Sequence, residues 1–163
     1  MILSRFRLIA PAVACAALLA ACGGDSAPER GSLIEPPTAV ATLSTAQIDA
    51  ATAASGLQPL SGKARCDVKV LQLNYQTVGP KSEETNASAA MFVPGGACTG
   101  ASALVAYAKG TDMQKPRTLA NPADAEAMLL VAMYAAQGYT VVATDYLGYA
   151  KSTFAYHPYL HAD

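Results

Sequence analysis

Residues able to do chemistry gather at a few places in the 163-residue chain. Gly96-Ala97-Cys98-Thr99-Gly100 has the G-x-C-x-G spacing of a nucleophile elbow, with a thiol in place of a hydroxyl. An elbow needs a strand before it and a helix after it, so that the nucleophile projects above the sheet. Here an apolar, strand-like run follows, and Cys66 offers Cys98 a partner, so a catalytic thiolate is not expected. No serine has glycine at both −2 and +2; Ser26 and Ser102 come nearest, and no G-x-S-x-G exists. The two histidines, His157 and His161, have the i, i+4 spacing that would let a helix present both to a metal. Pro158 interrupts such a helix and no H-E-x-x-H glutamate accompanies them. No metal site is expected, and His157 reads as a packed residue of a structured loop.

Two further stretches are more informative. Lys109-Gly110-Thr111-Asp112 and Asp145–Ser152 (DYLGYAKS) each follow an apolar run. Open α/β sheets place their sites at the carboxyl ends of such strands. Glycine at Gly110 lets the backbone turn tightly and present N–H groups, as an oxyanion site requires. Plain strand-to-helix connections would look the same, and these residues alone leave both readings open.

The elements that must position these loops follow from periodicity. Val68–Val78 alternates apolar and polar residues with a phase slip near Val70-Leu71, which predicts a strand with a bulge. Gly79-Pro80-Lys81-Ser82 turns the chain, and Ser88–Val93 returns as an antiparallel neighbour. Ala103–Ala108 is continuously apolar, the pattern of a central strand covered on both faces. Asn121 is read as an N-cap with Pro122 at the first helical position, Asp124 and Glu126 in the first turn, and a helix running over Ala123–Gln137 to a stop at Gly138. Thr140–Thr144 is a second buried strand. Strand, helix and strand within this short span predict a crossover between parallel strands, and hence an α/β class. Ser44-Thr45-Ala46-Gln47 is a capping box opening an Ala-rich helix to about Ser55, stopped by Gly56.

Composition narrows the partners. Hydrophobic residues make up 52% of the chain and charged ones 14%, which excludes a disordered polar chain. Eleven Lys+Arg against twelve Asp+Glu, with no basic run, exclude the electrostatic footprint of a nucleic-acid binder. Arg5 and Arg7 precede an apolar run, Leu8–Ala20, in the manner of a secretory signal. Leu19-Ala20-Ala21-Cys22 resembles the bacterial lipobox, which implies a signal over 1–21, lipidation at Cys22, and anchoring in the cell envelope. Gly23 after the cysteine favours the outer membrane. Residues 22–43 are read as a tether and 44–163 as the folded part. Cys66 and Cys98 then remain in an oxidising compartment, where one disulfide is the simplest outcome and two separately buried thiols the alternative.

ALVAYAKGTD, NPADAEAMLLVAMYAAQGY, TVVATDYLGYAKS and YHPYLHAD together resemble the N-terminal portion of an α/β-hydrolase. More narrowly they resemble bacterial lipoprotein relatives of the secretory lipase family, over about Cys66 to Asp163. The resemblance implies a partial α/β-hydrolase fold, with strands one to four, the helix after strand three, and an incomplete central sheet. It implies oxyanion-hole amides at Gly110 and Thr111, although Lys109 stands where histidine is frequent. It makes Asp145, Tyr146 and Gly148 candidate pocket-wall residues. It implies acyl transfer through a serine ester, an ester or lipid substrate, and no cofactor. In this fold the triad follows in the order Ser, Asp or Glu, His, with the serine after the fifth strand. All three would lie beyond Asp163, and His157 and His161 come too early to be the base. No catalytic residue of the triad is therefore expected in these 163 residues.

In the family's strand order, Ala103–Ala108 lacks its outer neighbour and becomes an unpaired apolar edge, open to aggregation or to pairing with another chain. That predicts a poorly soluble, marginally stable piece of a lipid-anchored serine hydrolase. The alternative is a lipoprotein that keeps the half-domain as a non-catalytic binding or assembly module, with a partner over that edge.

Overall fold

The computed structural model describes residues 29–110 and 112–159. The signal at 1–21, the lipidation position Cys22, the start of the tether, Thr111, His161 and Asp163 lie outside the described residues.

A five-stranded mixed sheet organises them, in the order β1-β2-β3-β5-β4. The strands are β1 (Thr38–Leu43), β2 (Asp67–Val78), β3 (Glu84–Gly95), β4 (Leu104–Ala108) and β5 (Thr140–Thr144). β2 and β3 form the expected antiparallel pair, in unbroken register from Asp67↔Gly95 to Val78↔Glu84. β3 runs longer than the apolar segment Ser88–Val93, because main-chain pairing continues through polar Glu84–Asn86 and through Pro94. Pro94 lies past the Ala89–Phe92 stretch that β5 pairs, so its missing N–H breaks no ladder bond on that side.

Several expectations are corrected. The segment read as tether ends in a strand: β1 pairs antiparallel with β2. Its Thr-Ala-Val-Ala-Thr-Leu sequence has strand propensity, but flanking Gly, Pro and Ser residues mask it. The register shift opposite Val70-Leu71 falls between Ala39 and Ala41, so the bulge belongs to β1 and not to β2. The crossover helix is shorter than read. Asp124, not Asn121, is the N-cap of α3 (Ala125–Met133), its carboxylate accepting from the Glu126 and Ala127 amides. Asn121 instead accepts from the Ala123 amide in a turn. After Met133 the chain tightens into a 3-10 turn, Ala135–Gln137, and leaves it through Gly138 in the left-handed conformation. The capping box opens α1 (Thr45–Ser55) as expected, with Gly56 at φ +75° closing it; a short α2 (Gln58–Ser61) follows.

Last, β4 is the unpaired edge that the resemblance implied, but it is not covered on both faces as its continuous apolarity suggested. It pairs only with β5, in parallel from Leu104↔Thr140 to Ala108↔Thr144. Val105 and Tyr107 pack against the core formed by Val68, Val70, Phe92, Val141, Leu130 and Val131. Leu104, Ala106 and Ala108 face the other way and are exposed. α3 covers the core face of the sheet through Leu130 and Val131. Each buried Leu or Val on the covered face contributes about 1.5–3 kcal/mol. Among the described residues no helix is long and apolar enough to cross a membrane.

Candidate functional site at the rim of the parallel strands

β4 and β5 are parallel, so both release their chains at one rim. Asp145 leaves β5 directly inward and is fully buried. One of its oxygens accepts from Ser88 Oγ (2.7 Å) and Thr118 Oγ1 (2.9 Å), and the other from the Leu119 amide (3.0 Å). It ties the 118–119 turn to the sheet. Tyr146 follows with φ +67°, a left-handed backbone that is costly for a bulky side chain. Its hydroxyl donates across the rim to the Lys109 carbonyl at 3.1 Å. Gly148, at φ +79°, meets the passing backbone so closely that a Cβ there would lie 2.4 Å from Tyr156 C and 2.6 Å from His157 N. Only glycine fits.

The segment after it closes the site. His157 Nδ1 bonds to the Leu147 carbonyl at 3.0 Å, and its ring packs among Tyr146, Tyr149 and Tyr159. This is the packed role expected for it. Tyr149 Oη donates to the Asp112 carbonyl, and Tyr159 Oη reaches the same carbonyl at 2.9 Å. Tyr149, Tyr156, His157, Tyr159, Met113 and Gly148 line a cleft of about 160 Å³.

On the β4 side, Lys109 is 4% exposed. Its ammonium sits 4.3 Å over the Tyr149 ring and 3.4 Å from Asp112. Asp112 also accepts from the Gln114 amide (2.9 Å) and from Arg117 (3.0 Å). The Gln114 amide first, and then the Arg117 guanidinium, hold its carboxyl at about 2 despite burial. Arg117 binds Asp124 (2.8 Å) and Glu126 (2.7 Å) as well, so one guanidinium joins three carboxylates. Burial works to raise Glu126, but the Tyr107 hydroxyl at 2.7 Å and Arg117 outweigh it, helped by the Gly110 backbone, and the carboxyl stays below its ordinary range. Gly110 itself is exposed, with open space where a side chain would be. Asp112, Gln114, Arg117, Thr118, Asn121 and Asp124 border an open polar depression of about 520 Å³. Sequence reasoning missed Arg117 and the hydroxyls of Tyr149 and Tyr159, because nothing local marks their partners.

Cys66 and Cys98 form a disulfide, Cα atoms 5.4 Å apart, which removes Cys98 as a nucleophile. Among the described residues no group of three His, Cys, Asp or Glu side chains is placed to hold a metal ion.

An antiparallel hairpin, then a parallel pair joined through a helix, with the later strand of that pair inserted beside the hairpin, defines a partial α/β-hydrolase fold with an incomplete sheet. Known structures bear this out. The rice cell wall degrading esterase LipA from Xanthomonas oryzae is 34% identical over 82% of this chain and 33% of its own, with a TM-score of 0.69. Its ligand-bound form is 33% identical, covering 82% of this chain and 34% of its own, also at 0.69. A candidate hydrolase from Legionella pneumophila matches at 22% identity over 78% of this chain and 34% of its own, TM-score 0.67, and speaks to the fold alone. This chain therefore spans about a third of the length of these structures. No protein-family model matches the sequence, and no curated protein does.

Proposed function

We propose that these residues are the front portion of a lipid-anchored serine hydrolase acting on carboxylic esters, of the kind related to the secretory lipases. The observation that carries this reading is the 34% identity, over 82% of the chain, with a protein described as an esterase. In the proposed mechanism a serine supplied by the remainder of the domain attacks the ester carbonyl. The developing oxyanion is met by amides of the turn after β4, Gly110 and Thr111. The 160 Å³ cleft, lined by Met113 from the β4 side and by Gly148, Tyr149 and His157 from the β5 side, would take one side of the ester. Cys22 carries the lipid and holds the enzyme at the envelope, on the outer membrane.

The exposed apolar edge of β4 favours the same reading, since the next strand of such a domain would pair there. It equally suits a non-catalytic module whose partner adds a strand. Reading the gene past the codon for Asp163 in all three frames separates the two. The expected result is a continuation, in frame or shifted, that encodes a strand, G-x-S-x-G and a helix, then Asp and His. Its product should hydrolyse p-nitrophenyl butyrate and lose that activity on phosphonylation. A stop codon with no such remnant, and no hydrolysis, would end the enzyme reading. Metabolic labelling with palmitate, lost in Cys22→Ser, tests the anchor independently.

A further inference from the structure

Three tyrosine hydroxyls from one stretch of chain converge on two carbonyls of another. Tyr146 Oη donates to Lys109 O at 3.1 Å; Tyr149 Oη and Tyr159 Oη, themselves 2.9 Å apart, both reach Asp112 O. We propose that Tyr146, Tyr149 and Tyr159 are positioning residues that hold the turn after β4, from Lys109 and Gly110 to Asp112, in its working geometry. As a statement about catalysis the inference rests on the ester-hydrolase reading; as a statement about the turn it does not.

A peptide unit is planar, so fixing a carbonyl fixes the direction of the amide in the same plane. An amide that is to stabilise an oxyanion must be aimed before the charge appears, within a few tenths of an ångström. Lys109, Gly110 and Asp112 lie outside regular secondary structure, and Gly110 is exposed. The main-chain carbonyls of Lys109 and Asp112 are held from the β5 side of the rim. Tyr146 adopts φ +67°, a conformation costing a bulky residue about 1–2 kcal/mol. The backbone is held there by its amide on Thr144 Oγ1 at 3.1 Å, and its phenol then spans the two loops. The Asp112 side chain is pinned as well, by Arg117, Lys109 and the Gln114 amide, so the far end of the turn is fixed through both main chain and side chain. Packing alone would be served by phenylalanine. The convergence of hydroxyls on carbonyls is what phenylalanine cannot reproduce.

Tyr146→Phe and Tyr159→Phe in the full chain as its gene encodes it test this, with the exposed Tyr139→Phe as control. Amide hydrogen exchange at Gly110 and Met113, whose N–H groups share peptide planes with the clamped carbonyls of Lys109 and Asp112, decides the positioning role. It should accelerate roughly tenfold or more in Y146F and Y159F, while β2–β3 amides and the Y139F protein are unchanged. Unchanged exchange in both variants overturns the proposal. Kinetics on p-nitrophenyl acetate decide the catalytic consequence: kcat should fall about tenfold with KM held within about twofold. Faster exchange with kcat unchanged would overturn the link to catalysis and leave the clamp. No hydrolysis by the unmodified chain would end the hydrolase reading, and exchange would still decide the clamp.

Discussion

At the scale of single residues, Arg117 is the side chain whose loss should be felt most widely. It holds Asp112, Asp124 and Glu126 at 3.0 Å or less while remaining only 26% exposed, so Arg117→Ala leaves Asp124 and Glu126 without their counter-charge and Asp112 with Lys109 alone. A loss of about 1–3 kcal/mol is expected in urea unfolding. The same residues set an acid limit. Asp112 titrates at about 2 in the fold against an ordinary 3.8, so the unfolded chain binds the proton first. Its contribution is complete above 3.8 and is lost as the pH falls towards 2. Asp124 and Glu126, both lowered, act in the same direction. Unfolding midpoints measured across this range should drop steeply in the natural chain and less steeply in R117A; parallel slopes would sink the account. Gly148→Ala is the severest single substitution expected, because the added carbon would sit 2.4 Å from Tyr156 C on a φ of +79°. A cost above about 2 kcal/mol should appear as a lowered urea midpoint.

Among the elements, α3 and the disulfide carry the clearest expectations. Two residues compete on paper for the start of α3, Asn121 and Asp124, and the carboxylate of Asp124 takes both the Glu126 and Ala127 amides. Asp124→Ala should therefore cost about 1 kcal/mol or more in urea unfolding, and Asn121→Ala clearly less. Equal costs would restore Asn121 as the cap. The Cys66–Cys98 bond closes a span of 32 residues between the start of β2 and the chain just after β3. Reducing it should remove on the order of 3 kcal/mol, seen as a lower thermal midpoint with dithiothreitol present.

For the molecule as a whole, the decisive feature is the open end of the sheet. β4 offers an uncharged Leu-Val-Ala-Tyr-Ala edge, with Leu104 66% exposed. A long-lived monomer with such an edge is unexpected, because its unpaired main-chain groups template pairing with other chains. Leu104→Lys places a charge on the exposed face without disturbing Val105 or Tyr107, which pack on the core. In light scattering it should suppress the concentration-dependent association expected of the natural residues 22–163, with little loss of stability. A natural chain that stays monomeric and melts reversibly would show that the edge is not a liability.

What the sequence determined by itself is what local pattern can report. The Ser44 capping box, the β2–β3 hairpin, the parallel strand–helix–strand unit and the pairing of Cys66 with Cys98 were all readable from periodicity, capping chemistry or cysteine count. Those signals record how one element meets solvent, or how two thiols behave in an oxidising compartment. Other features had no such signature. β1 was hidden in tether-like composition, and continuous apolarity announced burial for β4 while its edge position depends on which neighbours are present. At the rim, Gly110 and the 145–149 stretch were recognisable as loops at strand ends. That Asp145 turns inward, that Arg117 gathers three carboxylates and that three tyrosines meet at Lys109 and Asp112 depends on where separate loops pass each other. Those contacts join residues up to 47 positions apart, a reach over which no residue's type fixes its partner until the sheet has brought both loops to the same rim.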